Sequence, residues 1–165
     1  MDSTRNFPKP ALDSTDLRIL QCLQTDASQP VAAIAERVHL SGNACWSRIK
    51  RLEEVGVIRK RVALLDAAQV GVGLTIFVLI RAAEHSRDWF ERFAATVRAI
   101  PAVTEFHRTS GDVDYLIKLQ LPDVAGYDEV YKLLIGSTCC AEVRAVFSME
   151  ELERTTAVPL PGHAV

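Results

Sequence analysis

The stretch that most constrains the fold of this chain is residues 41–54, SGNACWSRIKRLEE. On a helix, where successive side chains are about 100° apart, its apolar positions share one stripe: Cys45, Ile49 and Leu52. The opposite stripe carries amide, hydroxyl and charged groups: Asn43, Ser47, Lys50, Arg51 and Glu54. Ser41 is a favourable N-cap. The stretch therefore predicts an amphipathic helix with one side on a core and the other side facing outward.

The polar stripe has two interpretations. Amide, hydroxyl and cationic groups bind phosphates and base edges in a DNA major groove, but an ordinary surface helix also presents a basic, solvated face. The surrounding charge favours DNA, because residues 40–61 contain six Lys/Arg and two Asp/Glu, whereas residues 74–158 contain nine and thirteen. We therefore expect a polyanion to bind the N-terminal third of the chain.

Two side chains fall on the flanks of the same helix, and each has two interpretations. Arg48 either packs beside the core stripe or contacts a phosphate. Trp46 either covers the junction between helices or touches DNA.

Two shorter helical patterns precede the basic helix. Asp13 is a favourable N-cap with Asp16 at the N3 position, and this first helix runs to about Thr25. Its predicted inward side chains are Leu17, Ile19, Leu20 and Leu23. Pro30 suits the first turn of the second helix, whose apolar stripe is Val31, Ile34, Ala35 and Val38. Three short helices with a basic third one predict a helix-turn-helix unit, with the motif at about residues 31–50.

Three consecutive cations, Arg59, Lys60 and Arg61, follow the basic helix and precede an apolar run at residues 62–65. This pattern predicts a short strand pair, or wing, that lays the cations on a phosphate backbone. A solubilising charge run is the alternative. The glycine-containing residues 66–73, DAAQVGVG, predict a linker.

An alternation of strand and helix patterns begins after the linker. Four runs have the composition of strands: residues 74–80, 103–109, 115–121 and 142–148. Residues 86–100 form one helical pattern, and Asp123 caps another whose predicted inward side chains are Val124, Tyr127, Tyr131 and Leu134. The order β-α-β-β-α-β is that of a ferredoxin-like αβ-sandwich. The predicted fold class is therefore α+β, with a winged helix-turn-helix domain followed by this sandwich.

The predicted organisation has five parts: a flexible arm at residues 1–11, a DNA-binding domain at 12–65, a linker at 66–73, a second domain at 74–160 and a tail at 161–165. Hydrophobic residues make up 48% of the chain, which is enough for a real core. No apolar run reaches the ~18 residues of a membrane span, and the N-terminus lacks an apolar secretory core. We therefore expect a cytoplasmic protein that does not associate with a membrane.

The cysteines and histidines show no metal-ligand spacing: Cys22, Cys45, Cys139, Cys140, His39, His85, His107 and His163. We expect no metal site and no cofactor. Cys22 and Cys45 lie on apolar helical faces and are expected in the core. The adjacent Cys139 and Cys140 could respond to oxidation, although neighbouring residues are awkwardly placed for a disulfide.

Several segments together resemble the Lrp/AsnC, or feast/famine, family of prokaryotic transcription regulators. They are LDSTDLRILQCLQ at 12–24, IAERVHLS at 34–41, RIKRLEEVGVI at 48–58, GDVDY at 111–115 and MEELERTTAVPL at 149–160. The resemblance covers about residues 12–160 and is greatest to a proteobacterial branch that includes leucine-responsive and cysteine-responsive regulators. It implies a sequence-specific DNA-binding regulator. Together with the basic pattern, it assigns DNA contacts to Ser41, Gly42, Asn43, Ser47, Arg48, Lys50, Arg51, Arg59, Lys60 and Arg61.

The family resemblance also implies two roles for the second domain, known there as the RAM domain. Through it, homodimers form and assemble further, often into octamers, so that two basic helices meet a pseudo-palindromic duplex on the nucleoid. It also binds a small amino acid, such as leucine or cysteine, that changes DNA binding or assembly. The residues implied are Thr109, Ser110, Gly111, Asp112, Asp114 and Tyr115, with Val146, Ser148 and Met149 on a second wall.

The chemistry of residues 109–115 suits an amino acid, but it also suits an ordinary tight turn. Carboxylates hold an α-ammonium group through charge-assisted hydrogen bonds. Backbone N–H groups exposed at Gly111 hold an α-carboxylate.

Two other functions remain as alternatives from the sequence. A small ferredoxin-fold enzyme would use Asp112, Asp114 and His107 as acid-base groups, but the chain has no nucleophile motif, metal set or phosphate loop. We therefore predict no enzyme and no catalytic residue. An assembly or effector-binding module with a non-functional DNA domain would not need Asn43 and Lys50 on one polar stripe.

Overall fold

The fold is that of a computed structural model, which describes residues 10–137 and 140–161. The chain divides into two compact units: residues up to 63 together with those from 153 onward, and residues 64–152. Most of the predicted arm, most of the predicted tail, and Cys139 lie outside the described residues.

The first unit is built from α1 (Ser14–Thr25), α2 (Val31–Arg37) and α3 (Gly42–Glu54). The predicted N-cap of α1 is confirmed, because the Asp13 carboxylate accepts from the Asp16 N–H at 2.8 Å. The Asp16 carboxylate in turn accepts from the Asp13 N–H at 3.2 Å, which completes a capping box. Ser41 Oγ accepts from the Ala44 N–H at 3.3 Å and starts α3. Both helices therefore begin at caps formed by residues that are three positions apart in the sequence.

The core of the first unit consists of the predicted helical stripes. Its buried members are Ile19, Leu20, Ile34, Ala35, Val38, Cys45, Ile49 and Leu52. Leu17 and Leu23 are only half-buried, contrary to the prediction. The buried stripe of α1 runs through Asp16, Ile19 and Leu20, so Leu17 falls on its flank, whereas the half-buried Leu23 still packs against this core.

The predicted wing does not form strands. Residues 59–66 have no regular secondary structure, and their apolar side chains are exposed, including Val62 at 59% and Leu64 at 66%. An isolated two-stranded hairpin has only marginal stability in water, because it buries little apolar surface. Asp66 then caps a compact turn by accepting from the N–H groups of Ala68 and Gln69, so the predicted linker has local structure.

The last described residues pack with the first unit, whereas the sequence places the second domain up to residue 160. The Val158 N–H donates to Gln24 Oε1 at 2.7 Å, and Gln24 Nε2 donates to the Val158 carbonyl at 3.1 Å. Leu160 packs against the helical core. These reciprocal hydrogen bonds attach the C-terminal segment to α1.

The second unit has the predicted βαββαβ order. Its elements are β1 (Leu74–Ala82), α4 (Arg87–Ala99), β2 (Val103–Arg108), β3 (Tyr115–Leu121), α5 (Val124–Ser137) and β4 (Cys140–Phe147). The strands form an antiparallel sheet in the order β2-β3-β1-β4. One inward assignment on α5 is wrong: Val124 is 61% exposed, and Val130 is buried instead. Val124 is the first residue of α5.

The two faces of the sheet differ. Alternate residues of β1 and β3, such as the paired Val78 and Ile117, are buried in a core that they share with residues of α4 and α5. The opposite face presents residues that are half-buried or exposed: Phe77, Leu79, Leu116, Lys118 and Val146. We call these five residues the open sheet face. It is apolar at its centre, where Phe77 pairs with Val146 and Leu79 pairs with Leu116.

Candidate nucleic-acid interface and effector site

The exposed face of α3 brings together part of the predicted DNA-contacting set. Asn43, Ser47 and Lys50 are all exposed on this face, since helical neighbours three and four residues apart lie side by side. Ser41 and Gly42 are exposed at its N-terminal end. The Lys50 ammonium pairs with the Glu53 carboxylate at 2.9 Å. The arrangement presents amide, hydroxyl and cationic donors along one helix that a buried stripe fixes to the core.

Arg48 and Arg51 turn away from this face towards α1. Arg48 Nη1 lies 2.6 Å from Asp13 Oδ2 and 2.8 Å from Asp16 Oδ1, and Arg51 Nη2 lies 2.5 Å from Asp16 Oδ2. Asp16 is 1% exposed, whereas the Arg48 and Arg51 side chains are 33% and 43% exposed. Asp16, the N3 residue of the α1 capping box, therefore also holds two arginines of α3, and we call the ion-pair network of Asp13, Asp16, Arg48 and Arg51 the clamp.

The clamp fixes the ionisation of its two carboxylates. Burial raises the pKa of Asp16, but hydrogen bonds from Arg51, from the Asp13 N–H and from Arg48 outweigh burial, so its pKa lies below the ordinary value of 3.8. The Asp16 N–H and the Arg48 guanidinium lower the pKa of Asp13 in the same way. Both residues are carboxylates at neutral pH, and the clamp is an ionic one.

We expect the first unit to lose stability in acid because of this clamp. A carboxylate whose pKa is lowered by folding contributes stability above its unfolded pKa and loses it as the pH falls through the folded pKa. For Asp16 the loss therefore begins near its ordinary pKa of 3.8 and continues below it. Chemical denaturation between about pH 7 and pH 3 measures the effect. The isosteric Asp16→Asn variant has a shallower acid dependence, and equal slopes in the two proteins contradict the prediction.

The cations after α3 are exposed in the irregular segment that replaces the predicted wing. Arg61 Nη2 lies 3.0 Å from Glu53 Oε1, so Glu53 joins Lys50 and Arg61. The hydrogen bond from Lys50, with a smaller contribution from Arg61, lowers the pKa of Glu53. Arg59 and Lys60 are exposed beside them.

The predicted effector turn is ordered by hydrogen bonds within itself and to the end of β1. Thr109 Oγ1 donates to the Val113 carbonyl at 2.6 Å, and Arg81 donates twice to the Asp112 carbonyl, at 2.9 and 3.1 Å. Asp114 Oδ2 accepts from the Ala82 N–H at 2.8 Å. Gly111 has a φ of +114°, a conformation that L side chains rarely adopt. The turn holds the Asp112 and Ser110 side chains at the surface.

The structure places the Tyr115 ring in the core, not at the surface of the turn. The side chain is 5% exposed and stacks with Trp89 and Phe90, and it also contacts Phe93. Tyr115 is the first residue of β3, and strand alternation directs it to the helix-covered face. Burial raises the pKa of its hydroxyl.

The two groups of predicted effector residues lie at opposite ends of the sheet. Asp114 donates its N–H to the Ile80 carbonyl, whereas Ser148 donates its N–H to the Thr75 carbonyl at the other end of β1. Five residues along a strand correspond to about 16 Å. One chain therefore does not bring the turn together with Val146, Ser148 and Met149.

Two other kinds of site are absent from the part of the chain that the structure describes. Among the described helices, none combines the length and apolar composition that a membrane span requires. Over residues 10–137 and 140–161, no three His, Cys, Asp or Glu side chains are grouped so as to hold a metal ion.

Comparison with known proteins links both units to one family. Residues 12–53 match the AsnC-type helix-turn-helix domain, and residues 75–158 match the Lrp/AsnC ligand binding domain. The chain is 49% identical to the glutamate uptake regulatory protein of Zymomonas mobilis, over 91% of this chain and 92% of that protein. It is 42% identical to the DNA-binding transcriptional activator DecR of Escherichia coli, over 90% and 99% of the two chains.

A solved structure has the same fold. The transcriptional regulator NMB0573 of Neisseria meningitidis, in complex with L-Met, superposes with a TM-score of 0.86 and is 33% identical, covering 92% of this chain and 98% of that one. Each of these three relatives is a regulatory protein.

Proposed function

The chain belongs to the Lrp/AsnC family of DNA-binding transcriptional regulators, and from this premise we propose how its own residues bind an operator, a second copy and an amino acid. The observation that carries the proposal is the exposed α3 face, where Asn43, Ser47 and Lys50 lie on a capped helix whose other side is buried. A helix presented in this way fits a major groove.

The α3 side chains divide into two kinds of DNA contact in this proposal. Asn43 and Ser47 offer neutral donors and acceptors, which read base edges. Lys50, Arg59 and Lys60 supply cations, which neutralise phosphates and make binding dependent on salt. Ser41 and Gly42, at the exposed start of α3, contribute the small side chains that allow close approach to the backbone.

Arg48, Arg51 and Arg61 contribute differently, because each is ion-paired within the chain. Their remaining guanidinium N–H groups face water in part, and a guanidinium has five donors, so a paired arginine can still contact a phosphate. We assign these residues to phosphate contacts at the edges of the interface.

The open sheet face supports a homodimer. Phe77, Leu79 and Leu116 form an apolar centre that alternates with polar neighbours, and a second copy of the same face would bury it through a two-fold contact. Such a dimer presents two α3 helices to half-sites about one helical turn apart on a pseudo-palindromic operator. Exposed apolar residues on α5, Leu133 at 55% and Ile135 at 47%, support assembly of dimers into an octamer.

The effector in this proposal is a small amino acid. The turn offers Asp112 and Asp114 to an α-ammonium group and the Gly111 backbone to an α-carboxylate. Thr109 and Ser110 complete its polar wall. Because Val146, Ser148 and Met149 lie at the other end of the sheet, they would close the pocket from another copy of the chain. The L-Met complex of the Neisseria relative supports this class of ligand.

An effector of this kind changes DNA binding only if it binds one conformation or assembly more tightly than another. A coupling of about 1–3 kcal/mol is typical of such regulators. The proposal places this regulation on chromosomal DNA in the cytoplasm.

The test is a gel-shift titration of the full chain on the promoter region of its own gene, at several salt concentrations, with and without leucine, cysteine, methionine or glutamate. We expect a specific complex, and at least one of these amino acids shifts its midpoint. Absence of a complex at low salt contradicts the proposal.

We expect Lys50→Ala to weaken this complex in one of two distinguishable ways. If Lys50 contacts a phosphate, binding weakens on all sequences and the salt slope falls by about one. If it reads a base, the loss is about 1–3 kcal/mol at one operator position. Lys132→Ala is the matched control, because Lys132 is an exposed, ion-paired lysine on α5. Equal binding by Lys50→Ala and the wild type refutes both roles.

A further inference from the structure

Trp46 is a large apolar side chain exposed on the operator-facing helix. It is 55% exposed, so it does not cover the junction between the helices. Asn43 lies three residues before it and Lys50 four residues after it, which puts all three side chains next to one another on α3. The other tryptophan, Trp89, is 3% exposed in the core of the second unit.

The ion pairs around α3 hold several charged side chains near Trp46, which the sequence alone does not show. Arg48 and Arg51 are held by Asp13 and Asp16 on the flank that faces α1, whereas Trp46 lies on the other flank. Lys50 remains on the exposed face but is paired with Glu53. The exposed side of α3 therefore combines the neutral polar groups of Asn43 and Ser47 with one indole ring on the flank away from α1.

A DNA major groove offers one apolar feature that such a ring can recognise. Thymine alone among the four bases displays a methyl group there, while the other base-edge features are hydrogen-bond donors and acceptors. Hydration of the apolar indole ring is less favourable than hydration of the Asn43 and Ser47 side chains beside it. Contact with a methyl group removes apolar surface of both partners from water and is therefore favourable.

We propose that Trp46 is a specificity-determining residue that packs against the C5-methyl group of a thymine in each operator half-site. This inference rests on the proposed function, because it requires α3 to enter the major groove. Trp46 supplies sequence preference through apolar contact, and the donors of Asn43 and Ser47 fix the register of the helix beside it.

The first test replaces each operator thymine in turn by deoxyuridine, which removes only the methyl group. At the contacted thymine, wild-type Kd rises about fourfold, the equivalent of one buried methyl group. Trp46→Ala binds the unmodified operator about tenfold more weakly. Its Kd does not rise further when that thymine is replaced by deoxyuridine. Val55→Ala is the matched control, because Val55 is a 45% exposed apolar residue at the C-terminal end of α3. Val55→Ala shows the same changes in Kd as the wild type when the operator thymines are replaced by deoxyuridine.

The second test uses the indole as its own reporter. Operator binding changes the fluorescence of the wild-type chain, whereas Trp46→Phe, which keeps only the buried Trp89, shows no comparable change. Circular dichroism confirms that both Trp46 variants fold, as expected for replacement of an exposed side chain.

The outcomes separate this inference from the proposed function. Two results overturn the role of Trp46 and leave the proposed function in place. In the first, Trp46→Ala binds the operator with an unchanged Kd. In the second, replacing thymines by deoxyuridine changes the Kd of the wild type and of Trp46→Ala in the same way. Failure of the wild-type chain to bind any duplex overturns both.

Discussion

Replacing Asp16 by alanine is expected to lower the free energy of unfolding of the first unit by about 3 kcal/mol. Asp16 is 1% exposed and receives hydrogen bonds from the Asp13 N–H, Arg48 and Arg51. A hydrogen bond to a charged group contributes about 1.5–3 kcal/mol. The total is smaller than three such bonds, because both guanidinium groups reach water and burial of the carboxylate itself costs free energy.

Urea denaturation followed by far-UV circular dichroism measures this loss. Asp16→Asn keeps an acceptor for the Asp13 N–H but removes the charge, so its stability lies between those of the wild type and Asp16→Ala. Asp26→Ala is the matched control, since Asp26 is an exposed aspartate at the other end of α1. A control that loses as much stability as Asp16→Ala shows that the clamp has no special role.

Replacing Leu79 by glutamate is expected to convert the proposed dimer into monomers and to weaken operator binding at least about a hundredfold. Leu79 lies at the centre of the open sheet face, opposite Leu116 on β3. In a two-fold interface each substitution appears twice, and burying two unpaired carboxylates costs several kcal/mol. The monomer still folds because Leu79 is only half-buried within one chain.

Light scattering measures the mass of the assembly, and a gel shift measures its affinity for the operator. Val124→Glu is the control: Val124 is a 61% exposed residue on α5, which packs on the other side of the sheet. It retains the dimer. A dimer of unchanged stability in Leu79→Glu means that the open sheet face is not the contact between copies.

Local rules in the sequence account for most of the secondary structure. The caps of α1 and α3 depend on residues three apart, and both formed as predicted. The strand β3 formed over the predicted residues 115–121, and its side chains alternate between a buried and a half-buried face. The predicted wing was wrong, because a hairpin depends on a partner surface that its own residues do not specify.

The candidate site depended more on contacts between distant residues. Arg51 belongs to the polar stripe by its spacing, yet the structure ties it to Asp16, which lies 35 residues away in the sequence. Only part of this signal was present in the sequence, since Asp16 was identifiable as the N3 residue beside the Asp13 cap but not as an ionic partner of Arg51. Trp46 was ambiguous on the helix flank, and its exposure became known only when the neighbouring helices were in place.

The sequence by itself determined the order of the elements, the stripes that form the two cores and the family to which the chain belongs. The order of the elements and the stripes follow from helical and strand periodicity, which acts over a few residues, whereas the family follows from the resemblance of several sequence segments. The tertiary structure alone decided which cations of α3 are ion-paired, where the C-terminal segment attaches, and that the two groups of predicted effector residues are separated within one chain. These features are determined by which surfaces meet after folding, because an ion pair or a buried contact forms between side chains that the sequence spacing does not bring together.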